Sequence, residues 1–106
     1  LIEQRLRLYP WKNSNRRKSG KTRIELDNNT SKNYTLLQIS TNDRFQLLYT
    51  IAKIINRLEL NIFSAKLSSR IGLAKDSFYL TDSASRKIED EDMQNRLKKQ
   101  LWDSIG

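Results

Sequence analysis

Apolar residues follow the period of a strand in two neighbouring stretches after a polar start. Between residues 22 and 27, Ile24 and Leu26 alternate with charged residues, which predicts a half-buried strand. Residues 28–33 are rich in asparagine and other turn-forming types. The stretch 34–41 is more apolar and predicts a more central strand. We therefore expect the two strands to form an antiparallel hairpin.

A helical spacing of apolar residues follows the second strand and predicts a helix with a core-facing stripe, which Leu47 and Ile54 widen. In front of it, Asp43 and Gln46 have the spacing of a capping pair: the carboxylate accepts backbone N–H groups and the amide reaches back. We therefore expect the helix to be capped at Asp43. The other members of the stripe are Leu48, Ile51, Ala52, Ile55 and Leu58.

The second half of the chain predicts two more strands and a second helix. Residues 61–69 predict a strand on which Phe63, Ala65 and Leu67 share a face. Gly72 marks a turn, and residues 73–82 predict the returning strand. Acidic residues 90–92 favour a helix N-terminus at the start of the last segment. The apolar stripe of that helix comprises Met93, Leu97, Leu101, Trp102 and Ile105.

The order of these elements predicts an α+β fold with a four-stranded antiparallel sheet and two helices on one face. Without its first strand, the ββαββα order is the split βαβ unit of ferredoxin-like folds, short of the last strand. That last strand would lie beside the first strand of the unit. We predict that residues 22–27 fill this edge position and pair there with residues 34–41.

Composition narrows the chemistry that the chain can perform. The 106 residues include no cysteine and no histidine, so thiolate chemistry, histidine catalysis and the commonest metal ligand are excluded. A chain without cysteine suits a reducing cytoplasm, where we expect it. No apolar run approaches the length of a membrane span, so no membrane partner is expected.

The net charge of +8 is concentrated at one end of the chain. Residues 1–23 hold eight basic residues and one acidic residue, whereas the remainder is nearly neutral. We therefore divide the chain into a basic linker or tail, residues 1–21, and one domain, residues 22–106. The basic segment is interpreted as a solvated linker rather than a nucleic-acid or phosphate-binding arm. Because the first residue is Leu1 rather than methionine, we expect a fragment of a longer protein.

The domain shows neither a nucleophile–base pair nor a phosphate loop, and we assign no catalytic residue, metal or cofactor to this chain. Asp90, Glu91 and Asp92 are consecutive on a predicted helix, so their side chains do not converge on a metal, and they complement the helix dipole instead. Phe78 and Tyr79 lie where RNA-recognition sheets carry stacking residues, but the accompanying basic and glycine pattern is absent. We therefore expect them to pack in the core and on the sheet face.

The stretch "YTLLQISTNDRFQLLYTIAKIINRLELNIFSAKLSS" and the later "DSFYLTDSASRKI" resemble an ACT domain. They are most similar to the C-terminal ACT domains of bifunctional PII uridylyltransferase/uridylyl-removing enzymes, which also place a strand like "TRIELDN" first. The resemblance covers residues 22 to about 105. It implies a regulatory sensor that reports nitrogen status, as glutamine concentration, to distant catalytic domains. It also implies that a second ACT domain, or a second copy in a homodimer, covers the exposed edge or face.

In this family the ligand lies where the strand-to-helix loop of one domain meets a neighbouring domain. The resemblance implies that the amino-acid site includes Asn61, Ile62 and Phe63, which open the adjoining strand. The loop residues that match are Asn42, Asp43, Arg44, Phe45, Gln46, Leu47 and Leu48. Backbone N–H groups at a helix N-terminus attract a ligand carboxylate, which agrees with this position.

The sequence departs from the family pattern at three glycines. The usual loop carries Pro-Gly where this chain has Phe45-Gln46, and two further family glycines are replaced by Glu59 and Ser85. A side chain at Gln46 occupies space that a ligand needs, so we expect weak or absent glutamine binding. Two alternatives remain open: an ACT-type interaction module without ligand binding, and a basic nucleic-acid-binding domain.

Overall fold

The computed structural model describes residues 22–42, 46–70 and 72–106. The predicted basic segment, residues 1–21, and the predicted site residues Asp43, Arg44 and Phe45 lie outside the described residues. The described elements follow the predicted ββαββα order: β1 (Arg23–Asp27), β2 (Thr35–Asn42), α1 (Leu47–Arg57), β3 (Asn61–Arg70), β4 (Leu73–Thr81) and α2 (Glu91–Ile105).

The described strands form one sheet with the order β1-β2-β4-β3, and all neighbours are antiparallel. β1 pairs with β2 from Arg23 opposite Ser40 to Asp27 opposite Leu36. The predicted fold class is confirmed. The N-terminal strand fills the edge position that the last strand of a ferredoxin-like unit would occupy.

The core lies between one face of the sheet, here called the inner face, and the two helices. Ile24, Leu37, Ile39, Phe78 and Leu80 supply the sheet side of this core. Burial of apolar side chains of this size is the main favourable term in folding. The helix side is supplied by Leu47, Ile51, Ile54, Ile55, Leu97, Leu101 and Ile105.

Two residues of the predicted core-facing helix stripes are exposed, so the prediction is wrong for them. Leu48 is 45% exposed and Trp102 is 44% exposed, while Ile51 and Ile105, each three positions further along, are buried. On α1, Ala52 and Leu58 are only half-buried. Both helices therefore bury a narrower stripe than their apolar residues allow.

The predicted start of α1 is also wrong. The helix begins at Leu47, and its N-cap is Gln46 rather than Asp43. Gln46 has a left-handed backbone with φ of 61°, and its side chain makes no capping hydrogen bond. A left-handed residue at this position turns the chain sharply into the helix.

Left-handed backbone recurs at the three positions where the resemblance had indicated a missing glycine. Among the described residues other than glycine, φ is positive at Gln46, Glu59 and Ser85, with values of 61°, 62° and 63°. Residues with a Cβ atom adopt this conformation at a cost of about 1 kcal/mol or more. These three positions therefore have the backbone conformation that glycine adopts most easily.

Glu59 illustrates what this geometry does. It follows the C-cap residue Leu58 of α1, and its N–H donates to the Asn56 carbonyl at 2.9 Å. The N–H of Leu60 donates to the Ile55 carbonyl at 3.1 Å. This pair of bonds is a Schellman motif, which satisfies carbonyls at the helix end and normally carries glycine at the left-handed position.

The last edge strand is the part of the inner face that the helices leave uncovered. Every residue from 61 to 68 is exposed, including Ile62, Phe63 at 67% and Leu67 at 53%. The register with β4 shifts between Ile62 and Ser64, which leaves Phe63 in a bulge. β3 thus presents an unpaired backbone edge together with exposed apolar side chains.

Replacing the left-handed residue after α1 by glycine should stabilise the domain. We expect Glu59→Gly to raise the free energy of unfolding by about 1 kcal/mol, because glycine adopts positive φ without the Cβ penalty. For a domain of this size that corresponds to an increase in Tm of about 4 to 8 °C. Calorimetry measures it directly. Glu59→Ala removes the charge but keeps the Cβ atom, so an equal gain in that control would contradict the backbone explanation.

Candidate functional site

Within one chain, the described residues of the predicted amino-acid site lie at two opposite ends of the sheet. Asn42 and Arg70 both pair with Leu73, whereas Asn61 pairs with Thr81 at the other end of β4. Strands rise about 3.3 Å per residue, so the two ends of β3 are about 30 Å apart. We call them the loop end, which holds Asn42, Gln46, Leu47 and Leu48, and the turn end, which holds Asn61, Ile62 and Phe63.

The loop end offers a helix N-terminus. The first N–H groups of α1, including those of Leu47 and Leu48, have no acceptor within the helix. No acidic side chain lies in this first turn. The Leu47 side chain is buried in the core, so only its backbone is available to a ligand, whereas Gln46 and Leu48 are exposed. Such a terminus favours a carboxylate or another anion.

The turn end is an aromatic surface beside an open groove. The rings of Phe63 and Tyr34 stack with centroids 4.4 Å apart and planes 16° from parallel. Tyr79 meets Tyr34 edge-on at 6.3 Å. Asn61 donates its side-chain Nδ2 to the Asp82 carbonyl at 3.1 Å, which ties the start of β3 to the loop after β4. The groove, hereafter the turn-end groove, has a volume of about 650 Å³.

The loop after β4, which forms one wall of this groove, is ordered around Asp82. Its carboxylate accepts the N–H groups of Ala84 at 2.8 Å and Arg86 at 3.0 Å. The Asp82 N–H in turn donates to the Arg86 carbonyl at 2.7 Å. The N–H of Arg86, then that of Ala84 and the positive charge of Arg86, hold the pKa of Asp82 below its ordinary value of 3.8, although desolvation partly offsets them.

A second set of bonds joins the same loop to the β1–β2 hairpin. Thr35 accepts the Ile88 N–H at 2.7 Å, and Asn28 donates its Nδ2 to the Ile88 carbonyl at 3.0 Å. Gln94 of α2 donates to the same carbonyl at 2.7 Å. Lys87 Nζ donates to the Asn28 carbonyl at 2.6 Å. Sequence reasoning missed this network because its partners are far apart along the chain.

The two residues compared with RNA-binding sheets have separate roles. Phe78 is fully buried on the inner face, and Tyr79 is half-buried on the other face, here called the outer face, where it packs against Tyr34.

Over the described ranges, no group of three acidic side chains is placed to hold a metal ion. None of the helices described for this chain combines the length and the apolar character needed to cross a membrane.

The family comparison agrees with this architecture. The model of a family described as an ACR9-like, ACT-like domain matches residues 23–105, which include every described strand and helix. The chain belongs to the ACT-like domain family. The resemblance inferred from the sequence is therefore confirmed.

Curated relatives carry the same domain within much longer proteins. The chain is 37% identical over 78 residues to a bifunctional uridylyltransferase/uridylyl-removing enzyme of Rhodopseudomonas palustris, covering 74% of this chain and 8% of that protein. It is 33% identical over 84 residues to the enzyme of that name in Azospirillum brasilense, covering 79% of this chain and 9% of that protein. No solved structure matches the chain significantly. The chain is an ACT-like regulatory domain related to these enzymes.

The pKa of Asp82 predicts how stability responds to acid. Because the folded-state pKa lies below the ordinary value, the contribution of Asp82 to stability is present above about pH 4 and is lost as the pH falls through the folded-state value. Asp82→Asn keeps an oxygen for the two N–H groups but does not titrate. We therefore expect a shallower loss of stability below about pH 4 in Asp82→Asn than in wild type.

Urea unfolding at a series of pH values, followed by tryptophan fluorescence, measures this difference. Asp82→Ala removes the acceptor altogether, so it should lower stability at neutral pH more than Asp82→Asn, which loses the charge but keeps an acceptor. Identical acid dependence in wild type and Asp82→Asn would show that this carboxylate does not organise the loop.

Proposed function

We propose that this domain senses a free amino acid, with glutamine as the first candidate, and regulates a catalytic domain elsewhere in a longer protein. The observation that carries the proposal is the start of α1, where a left-handed residue takes the place of the family glycine and the first-turn N–H groups lack helical acceptors. The relatives are named as uridylyltransferase/uridylyl-removing enzymes. The proposal includes a longer parent protein with a similar enzymatic activity, located in the cytoplasm.

A second copy of the domain, or a tandem ACT domain, would complete the site. If two β3 strands pair antiparallel across a two-fold axis, the start of one strand faces the end of the other. The turn end of one copy then lies beside the loop end of its neighbour. This pairing unites the two halves of the predicted site, which are about 30 Å apart in a single chain.

The exposed side chains favour pairing at this edge over pairing at the open face of the sheet. β3 displays Ile62 and Leu67, and the neighbouring α1 displays Leu48 and Tyr49. On the two central strands, β2 and β4, the outer face is polar around Gln38 and carries Tyr79 only at the turn end. Apolar surface gains free energy when it leaves water, whereas the polar face gains little.

An interaction module without ligand binding is the second candidate function. It is favoured by the exposed Gln46 side chain at the position where the family carries glycine. Under this hypothesis two copies still pair through β3, and no ligand binds at the loop end. Nucleic-acid binding is disfavoured, because the basic residues concentrate in residues 1–23 and the rest of the chain is nearly neutral.

Titration with glutamine separates the two candidates. We expect weak binding by the wild type and binding that is about tenfold tighter in Gln46→Gly, because the glycine removes a side chain from the approach to the N–H groups. Since Gln46 makes no capping hydrogen bond, this substitution should also raise Tm rather than cost stability.

Glu59→Gly is the matched control, because it relieves a left-handed residue away from the loop and should leave glutamine affinity unchanged. Tight glutamine binding by the wild type that Gln46→Gly does not alter would contradict the assigned role of the loop. Absence of binding in both forms would favour the interaction module.

A further inference from the structure

The turn-end groove combines a ring platform with cationic side chains. Phe63 is 67% exposed, and its ring is backed by Tyr34, which Tyr79 supports from the side. An exposed apolar patch with polar residues around it often marks a ligand-binding groove. One face of the Phe63 ring is occupied by the stack, so the ring is held in place and offers its remaining surface to a planar group.

Three basic residues line the same groove: Lys32 from the hairpin turn, and Arg86 and Lys87 from the loop after β4. Glu89 is the only acidic residue of this lining among the described residues, so the groove has a net charge of +2. The basic side chains come from separate elements that converge at one end of the sheet. An anionic group in the groove would therefore meet positive charge from two sides.

Hydrogen bonds order the backbone at Arg86 and the side chain of Lys87 before any ligand arrives. Asp82 accepts the N–H of Arg86, and Lys87 Nζ is fixed on the Asn28 carbonyl at 2.6 Å. Ile88, which follows Lys87, is bonded to Thr35 at 2.7 Å. Fixed donors lose little conformational entropy on binding, which favours affinity.

Size and shape restrict the ligand. The volume of about 650 Å³ lies within the range of small-molecule sites, and a free amino acid would fill only a part of it. A purely apolar ligand would leave the basic residues without partners, and an inorganic anion would not use the ring. A nucleotide uses both features, because its base stacks on aromatic rings and its phosphates pair with arginine and lysine.

We propose that the turn-end groove binds a mononucleotide, with the base on the exposed surface of Phe63 and the phosphates at Lys32, Arg86 and Lys87. Asn61, Ile62 and Phe63 line this groove and also form the turn end of the proposed amino-acid site, so the inference rests on a surface that the proposed function shares. The basic residues that would bind the phosphates are not part of the amino-acid site. The regulatory domain would then respond to a nucleotide as a second signal.

Titration of the purified chain with ATP tests the proposal, with adenosine and inorganic triphosphate as separate probes. We expect ATP to bind more tightly than either part, because each part uses only half of the groove. Arg86→Gln should weaken ATP and triphosphate about tenfold and leave adenosine unchanged. Phe63→Leu should weaken ATP and adenosine about tenfold and leave triphosphate unchanged. Lys75→Gln, on a strand away from the groove, is the control and should change none of them.

Three outcomes would overturn the proposal. The first is no ATP binding by the wild type at millimolar concentration. The second is equal ATP affinity in the wild type and both groove variants. The third is an oligonucleotide that binds far more tightly than ATP, which would assign the groove to single-stranded nucleic acid. Glutamine titration of Arg86→Gln separates this result from the proposed function, because Arg86 is not among the residues of the amino-acid site. Unchanged glutamine affinity with weakened ATP binding supports a phosphate contact at Arg86 that glutamine does not use.

Discussion

Two helices cover one face of the sheet, but they leave its last strand uncovered. The exposed apolar strip and the unpaired edge of β3 both follow from this incomplete cover. The inner-face residues of β1, β2 and β4 are largely buried, whereas every residue from 61 to 68 is exposed. Leu67 and Ile62 therefore remain in water beside an unpaired backbone edge. A single copy leaves this apolar strip in contact with solvent. The proposed pairing of two β3 edges removes the strip from water and, by the direction of the strands, also brings the two halves of the amino-acid site together.

Three residues with a Cβ atom have the backbone conformation that glycine adopts most easily. Gln46, Glu59 and Ser85 occupy positions where the resemblance to the family indicates glycine, and all three have positive φ. The turn into α1, the Schellman motif after it and the loop after β4 therefore retain their geometry at an energetic cost. At Gln46 the replacement also adds a side chain beside the helix N-terminus. The same substitution thus affects stability through the backbone and ligand access through the side chain.

The sequence predicted the order of the elements, the hairpin and the edge position of β1, because these depend on local periodicity and on pairing rules. Leu97, Leu101 and Ile105 were placed correctly in the core for the same reason. The start of α1 and the exposure of Leu48 were not predicted, since both depend on where the sheet lies beneath the helix. Ile88 bonds to Asn28 and to Thr35, which precede it by 60 and 53 positions along the chain. Contacts between such distant positions leave no local signal in the sequence. The resemblance supplied the candidate site residues, but strand direction was needed to show that one chain separates them.

Pairing through β3 is the central claim, and sedimentation velocity of three proteins tests it most directly. Leu67→Glu places a charge on the exposed inner side of β3, whereas Gln38→Glu places the same residue on the polar outer face of β2. We expect wild type and Gln38→Glu to sediment as dimers and Leu67→Glu to sediment as a folded monomer, because burying an unpaired charge at an interface is costly. A wild type that stays monomeric up to millimolar concentration, or a Leu67→Glu variant that dimerises as well as the wild type, would contradict the account.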